Sequence, residues 1–241
     1  MIEYSGKRLG DREKRREQMA KIIGLCGSPR KGATEYALER ALAAAEVIPG
    51  VESELMVLRG KNIKRCTHCN LCMESTTPLP NYCPQDDDMK ELIDQFVTGD
   101  GFIIASPVYE ATVTGLLKDF MDRFRAKAFA NLRRGENPFA KNPRVGGGIA
   151  VGGTRHGGQE LTLTTINNFF LTYEFLVTGG PLGNYLGACV WSKDRKAKGV
   201  EEDEVGVERL EKLGKRVAEY AVVLEAGRLA AQEQNLDLSC L

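Results

Sequence analysis

The chain has 241 residues, and its 33 Lys and Arg balance its 33 Asp and Glu, so its formal net charge is zero. No overall charge therefore favours nucleic acid or an anionic membrane surface as a partner. The sequence has no apolar run of eighteen residues and no secretory signal at its charged N-terminus, which predicts a cytoplasmic protein without a membrane span. Its seven cysteines are an odd number with four in one segment, which does not indicate a disulfide framework.

The order of predicted elements indicates an α/β fold. Residues 1–20 are interpreted as a solvated charged arm, and residues 21–241 as one domain. Strands are predicted at 21–26, 51–58, 101–106, 144–153 and within 175–190, and helices within 35–48, 86–100 and 114–126, from about 158, and within 205–226. Strands that alternate with helices predict five parallel strands covered on both faces, with the 51–58 strand near an edge. The cysteine-rich segment 59–85 is predicted to be a loop inserted into this domain.

Cys66, Cys69, Cys72 and Cys83 form the segment with the clearest chemistry. Two residues separate each of the first three thiols, so one short loop can turn three sulfurs toward one point. Runs of this spacing are typical of iron–sulfur sites, whereas structural zinc more often uses two separated pairs. The spacing favours an iron–sulfur cluster, with zinc or free thiols as the alternatives. Ten residues separate Cys72 from Cys83, the predicted fourth ligand.

GSPRKGAT, residues 27–34, lies between the first strand and the first helix, where α/β sheets bind phosphate. Ala33 stands where a Walker loop needs lysine, and no G-x-G-x-x-G dinucleotide pattern occurs. The remaining groups are the hydroxyls of Ser28 and Thr34, the guanidinium of Arg30 and backbone amides. Such groups can neutralise one terminal phosphate, which suits a mononucleotide. The alternative is an ordinary strand–helix turn.

Four motifs in one order carry a family resemblance: GSPRKGAT, SPVY (106–109), LKDFMDR (117–123) and GGTRHGGQE (152–160). With them the chain resembles the iron–sulfur flavoproteins, a branch of the flavodoxin-like NADPH-dependent FMN reductase family. The resemblance implies a flavodoxin-like doubly wound sheet that binds FMN, with a [4Fe–4S] cluster on the four cysteines. Family members usually have a shorter gap before the last of these cysteines. It also implies a homodimer or homotetramer with FMN near a subunit interface.

The resemblance implies a set of flavin-binding residues. The phosphate would be held by Ser28, Arg30, Gly32, Ala33 and Thr34; the isoalloxazine would be bordered by Pro107, Val108 and Tyr109; and the pocket would be completed by Gly152, Gly153, Thr154, Arg155, Gly157 and Gly158. The residues themselves support this, because SPVY leaves the carboxyl end of a strand and the glycines leave room for a flat ring. His156 either donates to the reduced flavin or is solvated.

We therefore expect an electron-transfer enzyme in which a flavin and a cluster couple a ferredoxin-like one-electron carrier to a two-electron acceptor. One alternative is an NAD(P)H-dependent FMN or quinone reductase whose cysteines bind zinc or nothing. Another is a non-catalytic redox sensor that uses the charged arm to bind a partner. No nicotinamide fingerprint in the sequence decides between NAD(P)H and a protein donor.

Overall fold

A computed structural model describes residues 20–74, 82–133 and 143–236. The arm, except for Ala20, and Cys240 lie outside the described residues, so the arm stays a prediction. The strands are β1 (Ala20–Cys26), β2 (Val51–Val57), β3 (Gly101–Pro107), β4 (Val145–Gly152), β5 (Leu176–Val177) and β6 (Ala188–Trp191). The helices are α1 (Ala33–Ala45), α2 (Leu71–Glu74), α3 (Met89–Phe96), α4 (Gly115–Arg133), α5 (Gln159–Thr172), α6 (Lys196–Glu201) and α7 (Glu204–Glu233).

The strands form one parallel sheet in the order β2-β1-β3-β4-β5, with β2 at an edge. This order confirms the predicted sheet of five parallel strands. The fifth position differs in detail from the prediction. β5 pairs with the start of β4 and β6 with its end, so two short strands share one edge of β4. The intervening segment, 178–187, contains four glycines and Pro181, which has no N–H to give to a ladder.

Alternate side chains of each central strand enter two separate cores. Ile22 and Ile103 lie in one core, and their neighbours Ile23 and Ile104 lie in the other. The first core is completed by α1 and α7 through Leu38, Leu42, Leu210, Leu213 and Val217. The second core is completed by α3, α4 and α5 through Phe96, Phe120, Phe124, Phe169 and Phe170. Helices on both faces bury the central strands β1, β3 and β4 almost completely, as expected for a doubly wound sheet.

Helix boundaries differ most where tertiary packing extends them. α4 continues to Arg133, seven residues beyond the predicted segment, because its later turns still face the aromatic core through Ala128 and Phe129. The short helices α2 and α6 were not predicted, since four and six residues give too little periodicity to recognise. Among the described helices, none is long and apolar enough to cross a membrane.

Candidate functional site

The loop after β1 lies where the strand order changes direction. From β1 the chain moves to β2 on one side, and it then crosses back to β3 on the other side of β1. The Gly27 N–H donates to the Ala105 carbonyl at 2.8 Å and joins the loop to β3. Open α/β sheets bind ligands in the crevice at such a switch point, at the carboxyl ends of the strands. The predicted phosphate loop therefore occupies the ligand-binding end of the sheet.

This loop presents an open helix N-terminus. Within the described part of the chain, no side-chain hydrogen bond caps α1 at Gly32, so its first amides can serve an anion. Thr34 is buried in the first turn and Arg30 is exposed. The Ser28 hydroxyl donates to the Arg30 carbonyl at 2.7 Å and accepts from the Arg30 N–H at 3.3 Å. Ser28 thus shapes the loop and leaves the Arg30 side chain exposed.

Thr114, which was not among the predicted site residues, fixes the ends of two strands. Its hydroxyl donates to the Gly27 carbonyl at 2.7 Å and accepts from the Leu117 N–H at 3.1 Å, which caps α4. Its N–H donates to the Ser106 hydroxyl at 3.2 Å. A threonine directly before a helix is an N-cap signal that the sequence does contain. Thr114 therefore ties the phosphate loop, the end of β3 and the start of α4 together.

The SPVY segment turns sharply after β3. The N–H groups of Tyr109 and Thr112 donate to each other's carbonyls at 2.9 and 3.0 Å. Glu110 and Ala111 between them have φ of 47° and 59°, as the central residues of a type I′ turn do. The Val108 N–H donates to the Val151 carbonyl at 3.0 Å, so this turn stays beside β4. Tyr109 is 43% exposed, which leaves its ring available to a ligand or another chain.

The glycine loop after β4 packs against that turn. Gly158 caps α5 with φ of 105°, and a Cβ placed on it would lie 2.7 Å from the Ala111 Cα. Glycine is therefore needed here both for its backbone angle and for the close approach of the two loops. The Gln159 side chain, which is 1% exposed, accepts from the Gly157 N–H at 2.8 Å and donates to the Thr154 carbonyl at 2.6 Å. Gln159 holds the loop's shape and was not predicted.

Arg155, also in this loop, turns toward the end of β6. Its guanidinium lies 4.6 Å from the Trp191 ring centre and 3.5 Å from the Asp203 carboxylate. The Trp191 indole N–H donates to the Gly153 carbonyl at 2.8 Å. His156 is exposed at the tip of the loop. The structure thus brings the loops after β1, β3 and β4 to one end of the sheet, with Arg155 anchored at their rim.

The four predicted metal ligands line one small cavity. Cys66, Cys69, Cys72 and Cys83 border it with Arg123 and Arg125. Partial burial, followed by the neighbouring thiols of Cys83, Cys69 and Cys66, raises the pKa of Cys72, although Arg125 opposes this. His68 and Asn70, on either side of Cys69, have φ of 53° and 60° and bend the segment around the cavity. The fold therefore brings the four cysteines that the sequence spacing singled out to the lining of one cavity.

The arrangement of the four cysteines bears on which kind of metal site they can form. Across residues 20–74, 82–133 and 143–236, no three His, Cys, Asp or Glu side chains converge on the position of a single ion. A cubane cluster makes a different demand, because each of its irons takes its own thiolate and the ligands surround a larger body. The four cysteines that line the cavity match the number of thiolates that such a cluster takes. The other described cysteines, Cys26 and Cys189, lie elsewhere, and burial raises the pKa of each thiol to about 11.

The two ends of the cysteine loop are tied to each other. The Asp88 N–H donates to the Asn62 carbonyl at 3.0 Å, and the Asn62 N–H donates to the Asp88 carboxylate at 2.8 Å. The Asp87 carboxylate accepts from the Lys64 N–H at 2.9 Å and from the Arg123 guanidinium at 2.7 Å. Burial raises the pKa of Asp87, but these bonds outweigh it and leave the pKa below its ordinary value. The loop is thus closed at its base by α4.

A parallel sheet of this order, helices on both faces and ligand loops at the carboxyl ends define a flavodoxin-like protein. A flavone reductase structure matches with a TM-score of 0.60 and 24% identity, over 85% of this chain and 64% of that longer protein. A WrbA-like flavodoxin from Agrobacterium tumefaciens matches with a TM-score of 0.53 and 16% identity, over 86% of this chain and 99% of its own. Likeness at these identities establishes the fold.

Sequence similarity establishes the family. The NADPH-dependent FMN reductase model matches residues 20–183, and the chain belongs to this family. An iron-sulfur flavoprotein of Methanocaldococcus jannaschii is 43% identical over 193 residues, which cover 80% of this chain and 92% of the relative. One from Archaeoglobus fulgidus is 39% identical over 205 residues, which cover 85% and 98%. The chain is therefore a flavin-dependent oxidoreductase, and FMN is the cofactor that its family indicates.

Proposed function

We propose that this flavoprotein transfers electrons between a ferredoxin-like one-electron carrier and a two-electron acceptor, with FMN and a [4Fe–4S] cluster in the same chain. When bound, the flavin would supply both one- and two-electron chemistry and the cluster one-electron transfer. The observation that supports this most is the common cavity lined by Cys66, Cys69, Cys72 and Cys83. Relatives that are 43% and 39% identical are named iron-sulfur flavoproteins, which agrees with a cluster here.

The three loops at the carboxyl edge would bind FMN. The open N-terminus of α1 and the Arg30 guanidinium would neutralise the phosphate, with Ser28 and Thr34 beside them. The turn at Pro107–Tyr109 and the glycine loop 152–158 would border the ring. Their mutual contact at Gly158 keeps these two walls at a fixed separation. His156 has the exposure needed to donate to the ring, and that role stays part of the proposal.

Subunit pairing is a further part of the proposal. Tyr109 is 43% exposed, and the adjoining Thr112 hydroxyl lies 3.1 Å from the Thr165 hydroxyl on α5. On the same helix, Leu161 and Leu171 are 60% and 61% exposed. These exposed apolar side chains support a homodimer or homotetramer with FMN near the interface. Sedimentation of the FMN-loaded protein tests it, and a monomer with a full complement of FMN would refute it.

Cofactor stoichiometry after anaerobic purification tests the main proposal. We expect one FMN and about four iron and four sulfide per chain, together with broad sulfide-to-iron absorption beneath the flavin bands. Cys83→Ser should lose iron, whereas Cys189→Ser, which alters a half-buried thiol on β6, should keep it. Flavin bands without labile sulfide would refute the cluster. Arg30→Ala should weaken FMN binding and leave riboflavin binding unchanged, because riboflavin has no phosphate.

One other function has specific support. The matching family model is described as NADPH-dependent, and a 29% identical relative from Acidithiobacillus ferrooxidans is named NAD(P)H dehydrogenase (quinone). An NAD(P)H-dependent FMN or quinone reductase would use the same flavin site without the cluster. Rapid-mixing experiments separate the two functions. Flavin reduction by NAD(P)H but not by reduced ferredoxin would favour the reductase, and the opposite result supports the main proposal.

A further inference from the structure

Arg123 is a buried cation beside the cysteine cavity. The residue is 2% exposed and lies on α4. One terminal nitrogen, Nη1, donates to the Lys64 carbonyl at 2.7 Å and to the Asp87 Oδ2 at 2.7 Å, and Nη2 donates to the Asp87 Oδ1 at 3.1 Å. Lys64 precedes the first cysteine and Asp87 follows the last. Arg123 therefore holds both ends of the cysteine loop, one through the Lys64 carbonyl and the other through a bidentate contact with Asp87.

The Nε–H of this guanidinium has no acceptor among the described residues. The Arg123 Nε is itself buried. A buried charged donor without an acceptor is costly, so native structures rarely leave one unexplained. The side chain lines the same cavity as all four cysteines. The Arg123 side chain and the four cysteines thus line one common cavity.

Electrostatics link the same groups. Burial alone lowers the pKa of Arg123, but Asp87 and the thiols of Cys83 and Cys66 more than compensate and raise it above its ordinary value. An arginine guanidinium stays charged at any ordinary pH, and this one lines the same cavity as the cysteines. Arg125 also borders the cavity, but its side chain is only half-buried, and it lies 3.3 Å from the His68 imidazole. Of these two arginines, Arg123 is the one that is buried and held by the loop, and its Nε–H is a buried donor without an acceptor among the described residues.

We propose that Arg123 is a positioning residue for the metal site, whose Nε–H donates to a sulfur of the bound cluster or to one of its thiolates. The inference rests on the proposed [4Fe–4S] cluster. Hydrogen bonds to cluster sulfurs and nearby positive charge favour the reduced, more negative form, which raises the reduction potential. Arg123 would therefore both retain the cluster and make it easier to reduce.

The test compares Arg123→Gln and Arg123→Lys with wild type, all purified anaerobically. The cluster potential is measured by redox titration followed by electron paramagnetic resonance, and iron loss is timed with a chelator. We expect Arg123→Gln to have a lower potential and to lose iron about tenfold faster, as is usual for outer partners of metal sites. Arg123→Lys keeps the charge but not the planar donor, so its potential should lie between those of wild type and Arg123→Gln.

Arg144→Gln is the matched control. Arg144 is a second buried arginine, 8% exposed, and it donates to the Val97 carbonyl at 2.9 Å, next to the start of β4 rather than at the cavity. Its replacement should leave the cluster potential unchanged. A wild-type protein without sulfide would refute the proposed function itself. A loaded wild type with the same potential and iron retention as Arg123→Gln would instead overturn the role of Arg123. Full recovery of the potential in Arg123→Lys would attribute the effect to charge alone and overturn the hydrogen bond.

A spectroscopic measurement covers the case in which neither variant folds. Protein that carries Arg125→Lys and is labelled with ¹⁵N only in arginine retains Arg123 as the labelled guanidinium at the cavity. The reduced cluster should then show a magnetic coupling to ¹⁵N. Its absence from a fully loaded sample would refute the hydrogen bond.

Discussion

Thr114→Val removes one hydroxyl that joins the end of β1 to the start of α4 and leaves the side-chain shape nearly unchanged. In the native protein this hydroxyl makes two bonds, to the Gly27 carbonyl at 2.7 Å and from the Leu117 N–H at 3.1 Å. Thr114 is 2% exposed, so water cannot readily replace either bond. The substitution therefore tests whether this residue holds the ligand-binding end of the sheet together.

The expected cost combines two effects. Loss of a helix N-cap destabilises a protein by roughly 0.5–2 kcal/mol, and a buried carbonyl left without its donor costs roughly 1–3 kcal/mol. Since valine fills the same volume, no cavity is added. We expect the free energy of unfolding to fall by roughly 2–4 kcal/mol. For a chain of this size, a loss of about 3 kcal/mol lowers the melting temperature by roughly 6–12 °C.

The assay is a calorimetric melt of the anaerobic protein, with FMN affinity measured in parallel by fluorescence titration. Thr164→Val is the matched control, because the Thr164 hydroxyl makes only a local bond, at 2.9 Å, to the Glu160 carbonyl on the exposed face of α5. Its melting temperature should stay close to wild type. FMN should bind more weakly to Thr114→Val, since the phosphate loop begins at Gly27. A melt indistinguishable from that of Thr164→Val would refute the reasoning.

Three further outcomes follow from single positions. Gly158→Ala should weaken FMN binding about tenfold in a fluorescence titration, because a residue at φ of 105° is strained by roughly 1–2 kcal/mol and its Cβ would meet Ala111 at 2.8 Å; unchanged affinity would contradict the packed-loop geometry. Gly227→Ala lies in a stretch of α7 where an added Cβ would meet no described atom within 4 Å apart from its chain neighbours and the nearby backbone of its own helix. This change should raise the free energy of unfolding in urea by roughly 0.5–1 kcal/mol, and a loss of stability would contradict the open surroundings of this position. Burial raises the pKa of the Cys26 thiol from 9.0 to about 11, so iodoacetamide should label it in the folded protein only as the pH approaches that value, as read by peptide mass spectrometry. Rapid labelling at neutral pH would contradict the burial. Because the pKa of Cys26 is higher in the folded state than in the unfolded state, the free energy of unfolding keeps its full value below pH 9.0 and falls as the pH rises toward 11.

The pattern of apolar runs along the chain was sufficient to predict the sheet and the order of its ligand loops. Apolar runs such as 101–106, which alternate with helical segments, admit few arrangements other than a parallel sheet covered on both faces. The cysteine spacing is local, so three thiols could be assigned to one loop without knowledge of the fold. Family motifs then identified FMN as the cofactor, which no periodicity could have done. The sequence predicts the fifth strand as one segment. Its division into β5 and β6, on either side of the segment with Pro181, becomes visible only in the pairing of both strands with β4.

The distant residues that support those loops become visible in the three-dimensional packing. Thr114 reaches Gly27, 87 residues away, and Arg123 reaches Lys64 and Asp87, 59 and 36 residues away. Such bonds depend on how α4 packs against the sheet, and local side-chain patterns do not specify contacts between residues so far apart in the sequence. The placement of Cys83 beside the other three thiols is of the same kind, because ten intervening residues leave its position open until Asp87 and Asp88 close the loop. Local spacing can specify residues that share a turn, whereas contacts between separate elements arise from the packing of the whole domain.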